Sequence, residues 1–183
     1  MNQRNPSAAE AGLPIPADDL KRHLTIAQPE KNEELLHIGM VGDTYTILLS
    51  GADTSGRYCL IDMYIPPQGG PGPHRHDFEE TFILLEGEIE FTFRGEKVAG
   101  RAGDTLHVPA NAPHQFHNGS QKPARMLCIC SPSGQEDFFR ELGVNVATRT
   151  TAPAQPGAAE MAEFVAKATA LAPKYRTELL KHT

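Results

Sequence analysis

The chain predicts an all-β domain of short strands, a sandwich or barrel, with helices added at its C-terminal end. Two observations carry that reading. Residues 35–131 consist of short apolar or alternating runs separated by Gly, Pro, Asp and Asn, the pattern of closely spaced strands and turns. After Pro132 the apolar period lengthens to that of a helix. A length of 183 residues suits one hydrophobic core with appendages. Three units are expected: an N-terminal arm over residues 1–34, the β domain with a short closing helix over 35–143, and a linker with C-terminal helices over 144–183.

The arm is polar and contains Pro6, Pro14, Pro16 and Pro29, so it reads as loosely ordered chain with at most a short helical turn. Strands are expected at residues 44–49 and 58–65, joined by a hairpin loop at Gly51-Ala52-Asp53-Thr54-Ser55-Gly56. Further strands are expected at 80–85, 88–94, 105–108, 114–117 and 125–131. The clearest is 88–94, where Ile89, Phe91 and Phe93 alternate with Glu88, Glu90, Thr92 and Arg94, giving one face to a core and one to water. Ser133-Gly134-Gln135-Glu136 fits a capping box, and Phe138, Phe139 and Leu142 would form the apolar stripe of a short helix closed by Gly143. A linker at 152–157 precedes a helix at 158–170 and a last helix that starts near Pro173 and ends around residue 180. These helices would cover a barrel edge or pack on a partner subunit.

Composition narrows the function classes. Seventeen Lys and Arg against 23 Asp and Glu leave a formal charge of -6, which argues against a nucleic-acid partner. No apolar run approaches the roughly 18 residues needed to span a bilayer. The N-terminus lacks the basic start, apolar middle and small-residue cleavage site of a secretory signal, so a cytoplasmic location is expected. The cysteines agree with a reducing compartment. Cys128 and Cys130 sit two apart in a strand-like run, facing the same way without being well placed to bridge, and read as small buried hydrophobes. The Cys-x-x-Cys spacing common in thiol metal sites is absent.

Five of the eight histidines fall between positions 74 and 117, and Asp77, Glu79 and Glu80 follow the first two. In extended backbone His74-Arg75-His76 puts both imidazoles on one face and Arg75 on the other. Glu80 shares a face with Phe82 and Leu84 by strand parity, which directs a carboxylate toward an oily interior. Such a group needs a cation or close hydrogen-bond donors. His114, after Pro109-Ala110-Asn111-Ala112-Pro113, is a fourth candidate ligand, on the same face as Phe116. Glu79 should face away from Glu80, toward solvent or Arg75, and His117 away from His114.

These residues resemble the two motifs of the cupins, and in particular small single-domain cupins related to quercetin dioxygenases. The first cupin motif has Gly, five residues, His-x-His, three or four residues, Glu, six residues and Gly. His74, His76, Glu80 and Gly87 match it, while Gln68 holds the leading Gly position. The second has Gly, five residues, Pro-x-Gly, two residues, His, three residues and Asn. Gly103, Pro109, His114 and Asn118 match it, with Asn111 in place of Gly, a mild change because Asn tolerates positive φ. The resemblance runs from about Gly39 through Gly143 and implies a double-stranded β-helix, the jelly-roll cupin barrel.

By the same resemblance His74, His76, Glu80 and His114 would hold one divalent transition metal. Three imidazoles and a carboxylate suit Fe, Mn, Ni, Cu or Zn, and sequence does not rank them. The leading expectation is a metal-dependent oxidoreductase, a dioxygenase acting on a small oxygenated or aromatic compound, with Glu80 serving as ligand and catalytic base. Phe82 and Phe116 are candidate pocket walls, and His107 and Tyr64 are further candidates near the cavity. Two alternatives stay open: a redox-inert metal isomerase, lyase or cyclase, and a non-catalytic module that binds a small molecule. The latter predicts no acid or base in the cavity beyond the ligands. Small jelly rolls commonly pair, so a homodimer is expected.

Overall fold

In a computed structural model, residues 15–32, 34–154 and 156–181 are described; residues 1–14 of the expected N-terminal arm lie outside them. The described residues form strands β1 (His37–Met40), β2 (Asp43–Leu49), β3 (Cys59–Ile65), β4 (His74–His76), β5 (Glu79–Glu86), β6 (Glu88–Phe93), β7 (Glu96–Arg101), β8 (Thr105–Val108), β9 (His114–His117), β10 (Ala124–Ser131), β11 (Val144–Asn145) and β12 (Thr177–Leu179). Helices α1 (Gly51–Thr54), α2 (Gln135–Leu142) and α3 (Ala158–Leu171) complete the chain, with a 3-10 turn at Ala172–Tyr175.

Two antiparallel sheets face each other as a double-stranded β-helix. One runs β11-β1-β2-β3-β10-β5-β8 and the other β12-β4-β9-β6-β7. Strand parity builds the core between them. Ile61, Met63 and Ile65 of β3, Phe82 and Leu84 of β5, and Met126 of β10 are almost wholly buried, as are Ile89 and Phe91 of β6 and Phe116 of β9. The rings of Phe82, Phe91 and Phe116 lock the sheets together, with centroids 5.3 to 5.8 Å apart in tilted or edge-on pairs.

Turns place the two ligand-bearing stretches. Gly87 takes φ +77° between β5 and β6, and a Cβ there would lie 2.9 Å from Ala124 Cα, so both the backbone and the space call for glycine. At the two positions where the motif departs from glycine, Gln68 and Asn111 each adopt φ +68°. The left-handed geometry is therefore kept, at a strain cost that Asn bears better than Gln. Asn118 closes the second motif from a fully buried position. Its Nδ2 donates to the carbonyls of Ile65 (3.0 Å) and Lys122 (2.8 Å), and its Oδ1 accepts from the Ser120 amide and hydroxyl.

Three expectations are corrected. The segment at 51–56 is a helical turn, not a bare hairpin loop, because the Asp53 carboxylate accepts hydrogen bonds from the Ser50 amide and hydroxyl and holds the turn wound. Ser133 does not cap α2. Gly134 is the cap, and the Glu136 carboxylate accepts from the amides of Gly134 and Gly51 instead. The last helix is only the 3-10 turn, since Arg176 enters the left-handed region at φ +58° and the chain beyond it pairs with β4 as β12. The unexpected β7 pairs with β6 through a turn in which Arg94 and Gly95 both have positive φ. Helices α2 and α3 line the same cavity as the barrel strands, while the edge of β4 is covered by β12 and not by a helix.

Asn118→Ala removes this donor from the buried Ile65 carbonyl and the part-buried Lys122 carbonyl. We expect a loss of about 2–4 kcal/mol of unfolding free energy, read as a lower midpoint in urea with an unchanged slope.

Candidate metal centre

Three separate strands bring the candidate ligands together. β4 alternates His74 and His76 inward with Arg75 outward, where it pairs with Glu178 of β12 at 2.5 Å. β9 pairs with β4 in a register that sets His114 directly opposite His74. β5 carries Glu80 inward with Phe82. Nitrogen or oxygen atoms of His74, His76, Glu80 and His114 all lie within 4.8 Å of one another, and each of the four residues is buried.

The rings are aimed by the backbone. His74 Nδ1 lies 2.9 Å from the Gly72 carbonyl, His76 Nδ1 2.9 Å from that of Phe78, and His114 Nδ1 2.9 Å from that of Ala112. A carbonyl can only accept, so each Nδ1 carries a proton, and Nε2 is the nitrogen turned toward the centre. The Phe78 ring stacks on His76 at 3.8 Å and 3° and fixes its plane.

The donors fit a divalent ion. His76 Nε2 and His114 Nε2 each lie 3.0 Å from Glu80 Oε2. Two donors held at right angles about 2.1 Å from one ion sit about 3.0 Å apart. Burial pushes Glu80 up, but contacts with the His114 and His76 rings outweigh it and hold its carboxyl well below the usual range. Burial and the nearby His114 push His74 down to about 4, so that ring stays neutral. Ionised carboxylate and neutral imidazole are the forms that ligate.

A cavity of about 670 Å³ opens onto this cluster. His74 and Glu80 reach its wall; Phe82 and Phe116 line it from the barrel, and Phe138, Phe139 and Met161 from α2 and α3. The structure thus brings together the four candidate ligands and the two phenylalanine walls. It does not bring in His107 or Tyr64. β8 pairs His107 with Thr81 on the outer face, where its ring is half exposed and contacts Glu79 Oε2 and Thr81 Oγ1, each at 3.0 Å. Glu79 is exposed, one of its two expected alternatives, and its partner is His107 and not Arg75. Tyr64 shares the outer face of β3 with Leu60 and Asp62, opposite to Met63.

Two cavity residues were not foreseen. Asp43 and Tyr45 lie on the inward face of β2; the Tyr45 hydroxyl donates to Asp43 Oδ2 at 2.9 Å and the Gly70 amide to Oδ1 at 3.2 Å. Burial pushes the Asp43 carboxyl up to about 7, against the lowering effect of those donors. The signal was present: Asp43, Tyr45 and Ile47 share one parity, placing an acid on an apolar face. It was missed because the expected strand began at Thr44.

Three histidines and a glutamate converging inside a β barrel make a candidate metal site within a jelly-roll fold. Residues 61–130 match the Cupin domain family. It is 31% identical over 106 residues to the quercetin 2,3-dioxygenase of Bacillus subtilis, an alignment covering 57% of this chain and 31% of that protein. The chain therefore spans about a third of that relative's length. Among solved structures, a predicted oxalate decarboxylase from Thermotoga maritima superposes with a TM-score of 0.52 at 22% identity, covering 58% of this chain and 98% of the other. The polyketide cyclase RemF from Streptomyces resistomycificus does so with a TM-score of 0.53 at 18% identity, covering 78% and 97%. Both show the fold.

His76→Ala and His114→Ala should each weaken metal retention at least tenfold while leaving the far-ultraviolet circular dichroism unchanged; elemental analysis after gel filtration reads the loss. Asp43 gives a pH signature. Its folded pKa lies above the unfolded value, so ionisation costs the folded state stability: the cost is absent below about pH 4, grows with pH and is complete above about 7. Asp43→Asn should therefore raise Tm more at pH 8 than at pH 5, by the equivalent of about 2–4 kcal/mol.

Proposed function

We propose that the protein is a metal-dependent oxidoreductase, a dioxygenase acting on a small oxygenated aromatic compound. One observation carries this reading: two of the four candidate ligands, His74 and Glu80, face a mostly apolar, aromatic-walled cavity of about 670 Å³. Cavities of about 300–1,000 Å³ hold ring-bearing small molecules, and a few polar groups then fix their orientation. The quercetin 2,3-dioxygenase relative supports the same substrate class. When bound, a redox-active ion would supply open coordination positions and the electrons that let dioxygen react.

The residues of the chain do the rest. Phe82, Phe116, Phe138 and Phe139 stack against the ligand and exclude water. Glu80 lends a negative charge at the cavity floor. Asp43, poised near neutrality and held by Tyr45, takes a proton from a substrate hydroxyl at its carboxylate and returns it later.

Asp43 also favours a second reading, in which a redox-inert ion serves isomerase, lyase or cyclase chemistry through proton transfer alone. It weighs against a non-catalytic binding module, which needs no acid or base apart from the ligands.

Oxygen uptake separates the readings. Protein reconstituted with Fe, Mn, Ni or Cu should consume dioxygen with at least one member of a panel of flavonols, diketones and catechols, and Asp43→Asn should slow turnover by about 10²-fold or more. Equal conversion under nitrogen would favour the second reading, and no conversion in either atmosphere would contradict both.

A further inference from the structure

Glu80 presents its two oxygens to two different sets of neighbours. Oε2 faces the imidazoles of His76 and His114, while Oε1 lies 3.2 Å from Cys128 Sγ and 3.7 Å from Cys130 Sγ. The two sulfurs are 3.5 Å apart. Both cysteines are free and wholly buried. Their placement follows from β10, where residues two apart share the inward face and Cys130 pairs directly with Glu80 of β5.

We infer that Glu80, Cys128 and Cys130 form a second cation site, selective for a thiophilic divalent ion such as Zn(II) or Cd(II) and joined to the histidine centre through the Glu80 carboxylate. The triangle of donors has the right size. A tetrahedral ion about 2.3 Å from sulfur and about 2.0–2.2 Å from oxygen sets its sulfurs about 3.8 Å apart and each sulfur about 3.5 Å from the oxygen. The observed edges of 3.5, 3.2 and 3.7 Å lie within about 0.3 Å of these. The donor chemistry is selective too. Thiolates favour soft ions, whereas the three imidazoles and one carboxylate next door also accept harder ones such as Mn(II).

Met126 and Ile61 hold neighbouring inward positions beside the triangle, and the buried Cys59 of β3 pairs directly with Cys130. Entry runs from the cavity past Glu80, the one member of the triangle that lines it. As each metal–sulfur bond forms, the thiol proton leaves to solvent. Two protons are released per ion and no electrons are exchanged. The inference depends on the position of Glu80 and not on the oxidoreductase reading.

Cadmium reports directly on thiolate ligation through its ultraviolet charge-transfer absorption. Metal-free protein is first saturated with Mn(II) to occupy the histidine centre, then titrated with Cd(II). The wild type should develop a thiolate-to-cadmium band that saturates at one equivalent per chain. Cys128→Ser with Cys130→Ser should bind Mn(II) as the wild type does and show no band. His76→Ala with His114→Ala should lose Mn(II) yet keep the band. The wild-type titration needs no variant, so a folding defect in the serine variant cannot mask the answer. Mn(II) binding without any cadmium–thiolate band in the wild type overturns the second site and leaves the first intact. A band without Mn(II) binding does the reverse, and a band that survives the loss of both thiols also overturns the inference.

Discussion

The site depends on one repeated constraint: each of three imidazoles gives its Nδ1 proton to a main-chain carbonyl two residues away. A ring tied in this way has only Nε2 left to offer, and the direction of that nitrogen is set by backbone and not by a free rotamer. Strand pairing then turns three local arrangements into one centre, because β4 and β9 meet with His74 opposite His114. Glu80 completes the set. Its buried carboxylate is met by the His76 and His114 rings on one oxygen and the Cys128 thiol on the other, so the charge has partners inside the barrel.

The C-terminal chain makes the centre a pocket. β12 pairs along β4, so the strand bearing two ligands is not a frayed edge, and α2 and α3 supply Phe138, Phe139 and Met161 as a roof. The ion pairs that accompany this, Arg75 with Glu178 and Arg176 with Asp77, are half exposed and contribute little by themselves. The backbone ladder and the apolar contacts hold the roof, which links occupancy of the cavity to order in the tail.

Much of this was legible in the sequence because strands obey a period of two. Parity alone put Ile89, Phe91 and Phe116 in the core and turned Glu80 inward, and motif spacing brought His114 to His74 and His76 across 38 to 40 residues of chain. Local signals failed where a distant partner decided the outcome. β7, with most of its residues exposed, has no alternation to read and exists because β6 pairs with it. Residues 177–179 follow a helical stretch but meet an edge of β4 and become a strand. Asp43 was overlooked because a boundary was placed one residue late. The approach of Cys128 and Cys130 to Glu80 required knowing that β10 pairs with β5, a register the sequence does not state.

The most direct measurement is an anomalous-difference map from crystals grown with Mn(II). The account predicts a single manganese peak about 2.1 Å from Nε2 of His74, His76 and His114 and from a Glu80 oxygen. A fully occupied manganese elsewhere, with the three imidazoles turned away from one another, would contradict it.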